Sequence, residues 1–218
     1  MAEAAGATGI VCHLREDRRH INDRDVRLLR EVVKTRLNLE MAATEEMVAI
    51  AREVLPDIVT LVPERRQERT TEGGLNVVDQ QYALQAVVET LHEAEIMVSV
   101  FVEPVLEQIE AAAEIGADIV ELHTGHYANA TSAEAARQEL RRLQNAAEFA
   151  RQLGLHVAAG HGLNYENIVS VCRIRAIRDV SIGHAIVARA VYVGFEQAVR
   201  QMVELIRYGC LLPPLELR

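Results

Sequence analysis

The 218-residue sequence predicts an α/β fold, and within that class a (β/α)8 barrel of the TIM type with about seven of its eight strands in this chain. Three observations carry this. Short β-branched runs alternate with longer stretches of helical periodicity along the whole chain, as in a parallel sheet covered by helices. No G-x-G-x-x-G follows the first run, which a dinucleotide-binding open sheet would carry. Nearly every strand-like run also ends in an ionisable side chain: His13, Glu40, Glu64, Glu103, Glu121 with His123, His161 and His184. In a barrel these ends converge on one mouth, whereas an open sheet has no reason to load all of them.

The predicted strands are 9–14 (GIVCHL), 36–41 (RLNLEM), 57–62 (DIVTLV), 97–102 (MVSVFV), 118–123 (DIVELH), 156–160 (HVAAG) and 180–187 (VSIGHAIV). Helical patterning covers 24–34, 44–55, 77–93, 104–115, 132–153, 164–175 and 194–208. Thr44, Ser132 and Asn164 precede three of these and read as N-caps. AEIGAD (113–118) and RQLGL (151–155) place a Gly where a helix must stop. No Pro/Gly-rich linker interrupts the pattern, so residues 1–218 are expected to form one domain. AEAAGATGIV (2–11) echoes AAEIGADIV (112–120), a helix end, a turn and a strand. The chain is therefore expected to begin inside a helix, without a first βα unit, leaving two sheet edges unpaired.

Half of the residues are hydrophobic and a quarter are charged, ordinary for a soluble globular chain. A net charge of −9 argues against a general nucleic-acid binder, but a local Arg/His cluster can still hold a small phosphorylated ligand. Cys12, Cys172 and Cys210 have no metal-ligand spacing and are odd in number, which reads as reduced thiols in a cytoplasmic protein. No apolar run approaches the ~18 residues of a membrane span. The N-terminus has no basic segment followed by an apolar core, so no signal peptide is expected.

Several constellations suggest chemistry. In GIVCHLREDRRH (9–20), His13 ends a strand and Arg15, Arg18, Arg19 and His20 follow. They read either as a base with donors for a phosphate or as a solvated charged loop. Cys12 and His13 point to opposite faces and do not form a nucleophilic pair. Asn38 and Glu40 share a strand face. A Glu there is either a general base whose pKa is raised by burial or one half of a salt bridge. Glu121 and His123 share a face too, and Gly-His pairs at 160–161 and 183–184 end the last two strands, where barrels often hold phosphate. TTEGGLNV (70–77) is a lid carrying Thr70 or Thr71, or a plain turn. A divalent-metal site built from Glu40, Glu121, His123 and His161 is the rival reading.

Taken together, HLREDRRHI (13–21), NLEMAATEEM (38–47), LVPERRQERTTEGGLNV (61–77), ELHTGHYA (121–128), AAGHGLNY (158–165) and IGHAIVARAV (182–191) resemble the pyridoxine 5′-phosphate synthase family, in order and over residues 2–208. The resemblance implies a (β/α)8 barrel assembled as a homo-octamer. It implies condensation of 1-deoxy-D-xylulose 5-phosphate with 3-amino-2-oxopropyl phosphate to pyridoxine 5′-phosphate, phosphate and water, in vitamin B6 synthesis. No metal or organic cofactor is implied. His13 and Glu40 match proton acceptors, His161 a proton donor, and Glu121 a carboxylate that stabilises a transition state. Arg15, His20 and Thr70 match contacts to the deoxyxylulose phosphate, and Gly162, Gly183 and His184 contacts to the amino-ketone phosphate. The family's first strand, with its substrate contacts, is expected to be missing here, leaving the amino-ketone site incomplete. Two other functions follow from the sequence: a metal-dependent sugar-phosphate epimerase or aldolase, and an inactive truncated paralogue that serves only in assembly.

Overall fold

The computed structural model describes residues 1–64 and 73–216. Seven strands form one parallel sheet in sequence order: β1 (Gly9–His13), β2 (Arg36–Met41), β3 (Ile58–Leu61), β4 (Met97–Val102), β5 (Ile119–His123), β6 (His156–Gly160) and β7 (Asp179–Ser181). The helices are α1 (Asp23–Val32), α2 (Glu45–Val54), α3 (Gln81–His92), α4 (Leu106–Glu114), α5 (Gly125–Ala128), α6 (Ala133–Gln152), α7 (Ile168–Cys172), α8 (His184–Val193) and α9 (Phe195–Leu211). No helix among the described residues is long and apolar enough to cross a membrane.

The sheet curls into a nearly closed barrel. Arg36 at the start of β2 reaches Asp179 at the start of β7 (3.3 Å), although four strands lie between them in the sheet order. Among the described residues β1 and β7 do not pair with each other. The period-two alternation of each strand sorts residues between two environments. Leu37, Leu39 and Met41 of β2 are fully buried in the main core beneath the helices. Arg36, Asn38 and Glu40, between them, face the barrel interior beside Gly9, Val11 and His13 of β1. A small second core of Ile58, Ile119 and Ala158 fills the interior, and above it Thr60 donates to Asn38 Oδ1 at 2.9 Å.

The end of the barrel opposite the mouth is held by carboxylates. Asp57, just before β3, accepts the Leu37 amide at 2.8 Å and pairs with Arg30 at 2.8 Å. Asp118, just before β5, accepts the Val98 amide and His92 Nε2, both at 2.8 Å. Each satisfies a backbone donor at the start of the neighbouring strand. The repeated DIV of the sequence is thus a structural device, in which the Asp clamps the preceding strand and Ile-Val enters the sheet.

Most predicted elements form. Thr44 Oγ1 accepts the Met47 amide and Ser132 Oγ the Ala135 amide. Asn22 makes a capping box with Asp25 that the sequence reading did not identify. The echo between 2–11 and 112–120 is structural: Gly6 (φ 107°) and Gly116 (φ 82°) are both left-handed and lead into β1 and β5. Residues 3–5 form a 3-10 turn rather than the end of a long helix. Two expectations are corrected. The strand predicted over 180–187 ends at Ser181, and α8 starts at His184; Gly183 breaks the run, and the Ala-rich segment beyond it favours helix despite its β-branched residues. The helix predicted over 164–175 is confined to Ile168–Cys172, because Asn164 Oδ1 accepts the amides of Glu166 and Asn167 and holds a turn there.

Asp57→Ala leaves the buried Leu37 amide without its carboxylate. It is expected to lower the unfolding free energy by roughly 1–2 kcal/mol, measured by urea denaturation, with no change in the circular dichroism of the folded state.

Candidate active site

The ionisable strand ends meet at the C-terminal mouth of the barrel. His13 closes β1. Its Nε2 lies 3.0 Å from Glu64 Oε1, and its Nδ1 lies 3.9 Å from Glu40 Oε2 at the level of its register partner. Glu64 follows β3 and is almost fully covered (5% exposed); its second oxygen accepts the Glu16 amide at 3.0 Å. Burial pushes the Glu64 carboxyl up, but the bonds from His13 and Glu16 and the charge of Arg15 outweigh it and hold the group below the usual carboxylate range.

Glu40 and Glu121 behave in the opposite way. Burial raises Glu40, and the neighbouring His13 only partly offsets this. A quarter of the Glu40 side chain still reaches the mouth, so the group can exchange protons there. Glu121 on β5 is 3% exposed. Burial first, then the negative charge of Glu40, push it up to about 8, against a weak bond from Ser181 (3.3 Å). Glu40 and Glu121 sit on strands with two others between them, yet Glu121 feels the charge of Glu40 because the sheet is curled. Burial first, then Glu40, push the Cys12 thiol up to about 12, which removes it as a nucleophile.

His161 follows β6 in a left-handed conformation (φ 74°), as does Gly162 (φ 84°). The buried Thr124 holds this turn. Its amide donates to Gly160 O at 2.8 Å, and its hydroxyl lies 2.8 Å from Gly160 O and 2.6 Å from His161 O. The His161 ring stands edge-on to His123 at 4.9 Å between centroids. His123 Nδ1 is bound to Glu103 Oε1 at 2.6 Å. Gly162 is required by its positive φ and by Ala128, which a Cβ there would strike. Gly160 is required because a Cβ would overlap Glu121 Oε1, and Gly74 because a Cβ would overlap the backbone at Glu103.

Arg15 is buried and pairs with Asp17 at 3.5 Å, while His20 is exposed on the loop beyond. Gly183 and His184 form the exposed N-terminus of α8. Thr70 and Thr71 lie outside the described residues. The described part of that loop is pinned to the end of β4, with the Leu75 amide on Phe101 O (2.6 Å) and the Gly74 amide on Glu103 Oε1 (3.2 Å). The rival metal set of Glu40, Glu121, His123 and His161 does not converge. Among the described residues, the donors that do are Glu103, His123 and His126, with ligand atoms within 4.8 Å of one another, and there His123 is already bound to Glu103. The sequence reading noticed Glu64 and Glu103 only as strand ends. It noticed Gly160 only as half of a Gly-His pair and did not single out Thr124 or Ser181, whose roles rest on close approach rather than on any motif.

The folded chain keeps a proton on Glu121 that the unfolded chain has released between 4.5 and about 8. Stability therefore falls as pH rises through that window and levels off above it. The melting temperature is expected to drop between about pH 5 and about pH 9, and Glu121→Gln to remove most of that drop; parallel curves for the two proteins would contradict this. Gly160→Ala is expected to displace the Glu121 carboxyl and to destabilise by about 1–3 kcal/mol, read from denaturant midpoints.

Comparison with known proteins bears on this geometry. The family described as "Pyridoxal phosphate biosynthesis protein PdxJ" matches residues 1–208. The chain is 54% identical over 209 residues to a pyridoxine 5′-phosphate synthase of Geotalea daltonii (96% of this chain, 87% of the relative). It is 60% identical over 202 residues to one of Synechococcus sp. (93% and 84%). Among solved structures it resembles phosphoribosyl anthranilate isomerase of Thermus thermophilus (TM-score 0.62, 16% identity, 95% and 91% coverage). It also resembles 3-hexulose-6-phosphate synthase of Salmonella typhimurium (TM-score 0.66, 14% identity, 91% and 87% coverage). At such identities these two establish the barrel fold alone. With the family match covering nearly all of the sequence and relatives above half identity over almost its whole length, the chain belongs to the PdxJ family of pyridoxal phosphate biosynthesis proteins.

Proposed function

We propose that this chain is a pyridoxine 5′-phosphate synthase. As one barrel domain it joins 1-deoxy-D-xylulose 5-phosphate to 3-amino-2-oxopropyl phosphate and releases pyridoxine 5′-phosphate, inorganic phosphate and water. The observation that carries the reading is a set of acid and base groups of unequal proton affinity at one mouth, in a chain 54% and 60% identical to synthases of that name. Imine formation, loss of phosphate and ring closure each move a proton, and one group of fixed pKa cannot serve every step.

The roles follow from the environments. His13 and Glu40 accept protons. Glu40, raised by burial, is a stronger base once ionised than an exposed carboxylate. Glu121, raised to about 8, stays protonated at neutral pH and donates a hydrogen bond to an oxygen that gains charge. His161 delivers a proton to the leaving group. Arg15 and His20, with Thr70 beyond the described residues, take the deoxyxylulose phosphate. Gly162, Gly183 and His184 take the amino-ketone phosphate, at the amide-rich N-terminus of α8. The enzyme works in the cytoplasm as a homo-octamer, without metal or organic cofactor.

Product formation tests this directly. The purified chain, given both phosphorylated substrates, is expected to yield pyridoxine 5′-phosphate at a rate that a chelator leaves unchanged. Glu40→Gln is expected to cut kcat by about 100-fold or more. No product from the parent chain would rule out activity of this chain while leaving its family membership standing, and equal rates from the two proteins would overturn the role of Glu40.

A further inference from the structure

Glu64 makes two bonds that together leave it one arrangement. One oxygen faces His13 Nε2 at 3.0 Å and the other accepts the Glu16 amide at 3.0 Å. The carboxylate is almost completely covered. An ionised carboxylate only accepts hydrogen bonds, so the proton in the Glu64–His13 contact is on His13 Nε2. In the neutral imidazole Nδ1 then carries the lone pair. Nδ1 is the nitrogen that faces Glu40, at 3.9 Å, across the mouth. Covered carboxylate, imidazole and mouth-facing carboxyl therefore stand in a row, with the basic nitrogen on the side where substrate would lie.

We propose that Glu64 is the positioning residue of the site: it fixes the tautomer and ring orientation of His13 so that Nδ1, not Nε2, is the atom that accepts a proton from substrate. This rests on the synthase reading for the identity of the reaction, but the tautomer belongs to the protein alone. Glu64 does not touch the reacting atoms and acts through His13. Without it, the ring rotates and shares its proton between both nitrogens, and only part of the population presents a base to the mouth. The same carboxylate, through the Glu16 amide, ties the loop that carries Arg15 to the end of β3 and so keeps the base and that guanidinium in register.

The test is ¹⁵N NMR of the histidine rings, with the His13 signal assigned by its loss in His13→Gln. The parent protein is expected to show His13 as the Nε2–H tautomer. Glu64→Ala is expected to show a mixture, and Glu64→Gln, which keeps a neutral acceptor at the same place, to retain the parent tautomer. In the synthase assay Glu64→Ala is expected to lose roughly 100-fold in kcat with KM for both substrates within about threefold, and Glu64→Gln to recover most of that loss. An Nδ1–H tautomer in the parent overturns the proposal. So does a tautomer in Glu64→Ala identical to that of the parent, whatever the rate does; a lost kcat with an unmoved tautomer makes Glu64 a purely structural residue. If the parent protein makes no product, the synthase reading fails and the NMR comparison still decides the role of Glu64.

Discussion

A carboxyl group closed inside the barrel sets the terms for everything around it. Glu121 points from β5 into the interior that also holds Ile58, Ile119 and Ala158, and an ionised carboxylate there would lose most of its hydration. The fold answers in three ways. It keeps the group protonated near neutral pH. It gives it one weak donor, Ser181. It also leaves the adjacent position on β6 without a side chain, since any atom beyond Cα at Gly160 would collide with it. Glu40 adds to the constraint, because two carboxyls that sense each other resist ionising together. Apolar residues at both positions would make a more stable barrel, because burial disfavours the ionised form of each carboxyl.

The two ends of the barrel divide the work along the strands. At the N-terminal end, Asp57 and Asp118 are part-exposed and bound to backbone amides and to the side chains of Arg30 and His92. Their energetics are local and structural. At the C-terminal end the carboxyls are more deeply covered, and their partners are imidazoles. Glu64 and Glu103 are each joined to a histidine, His13 and His123, and each histidine stands next to a residue assigned a proton-transfer role, Glu40 or His161. A carboxylate–imidazole pair holds its partner without adding a permanent positive charge; hydrogen bonds lower Glu64 and Glu103, and burial raises Glu40 and Glu121.

The turn after β6 shows how much backbone the site requires. His161 adopts a conformation that side chains seldom occupy, and Thr124, just after the neighbouring strand β5, holds both carbonyls of that turn. The ring is then packed against His123 and Phe101.

Much of this was legible in the sequence. The β-branched runs, the caps at Thr44 and Ser132 and the loading of strand ends with Glu and His follow from local chemistry and period-two patterning, and these suffice for a parallel barrel. The family strings identified the chemistry, because they hold residue types at spacings that packing alone does not demand. What the sequence could not give is distance between strands far apart in the chain. It could not say that Glu64 meets His13, that Glu121 lies against Gly160 and feels Glu40, or that Ser181 is its donor. It misread 180–187 because Val and Ile favour strands locally, while the Gly183 break and the Ala-rich run beyond it decided for helix. Residue type and order fix which groups are present; only the curl of the sheet decides which of them share a solvent-poor space, and proton affinity depends on that shared space.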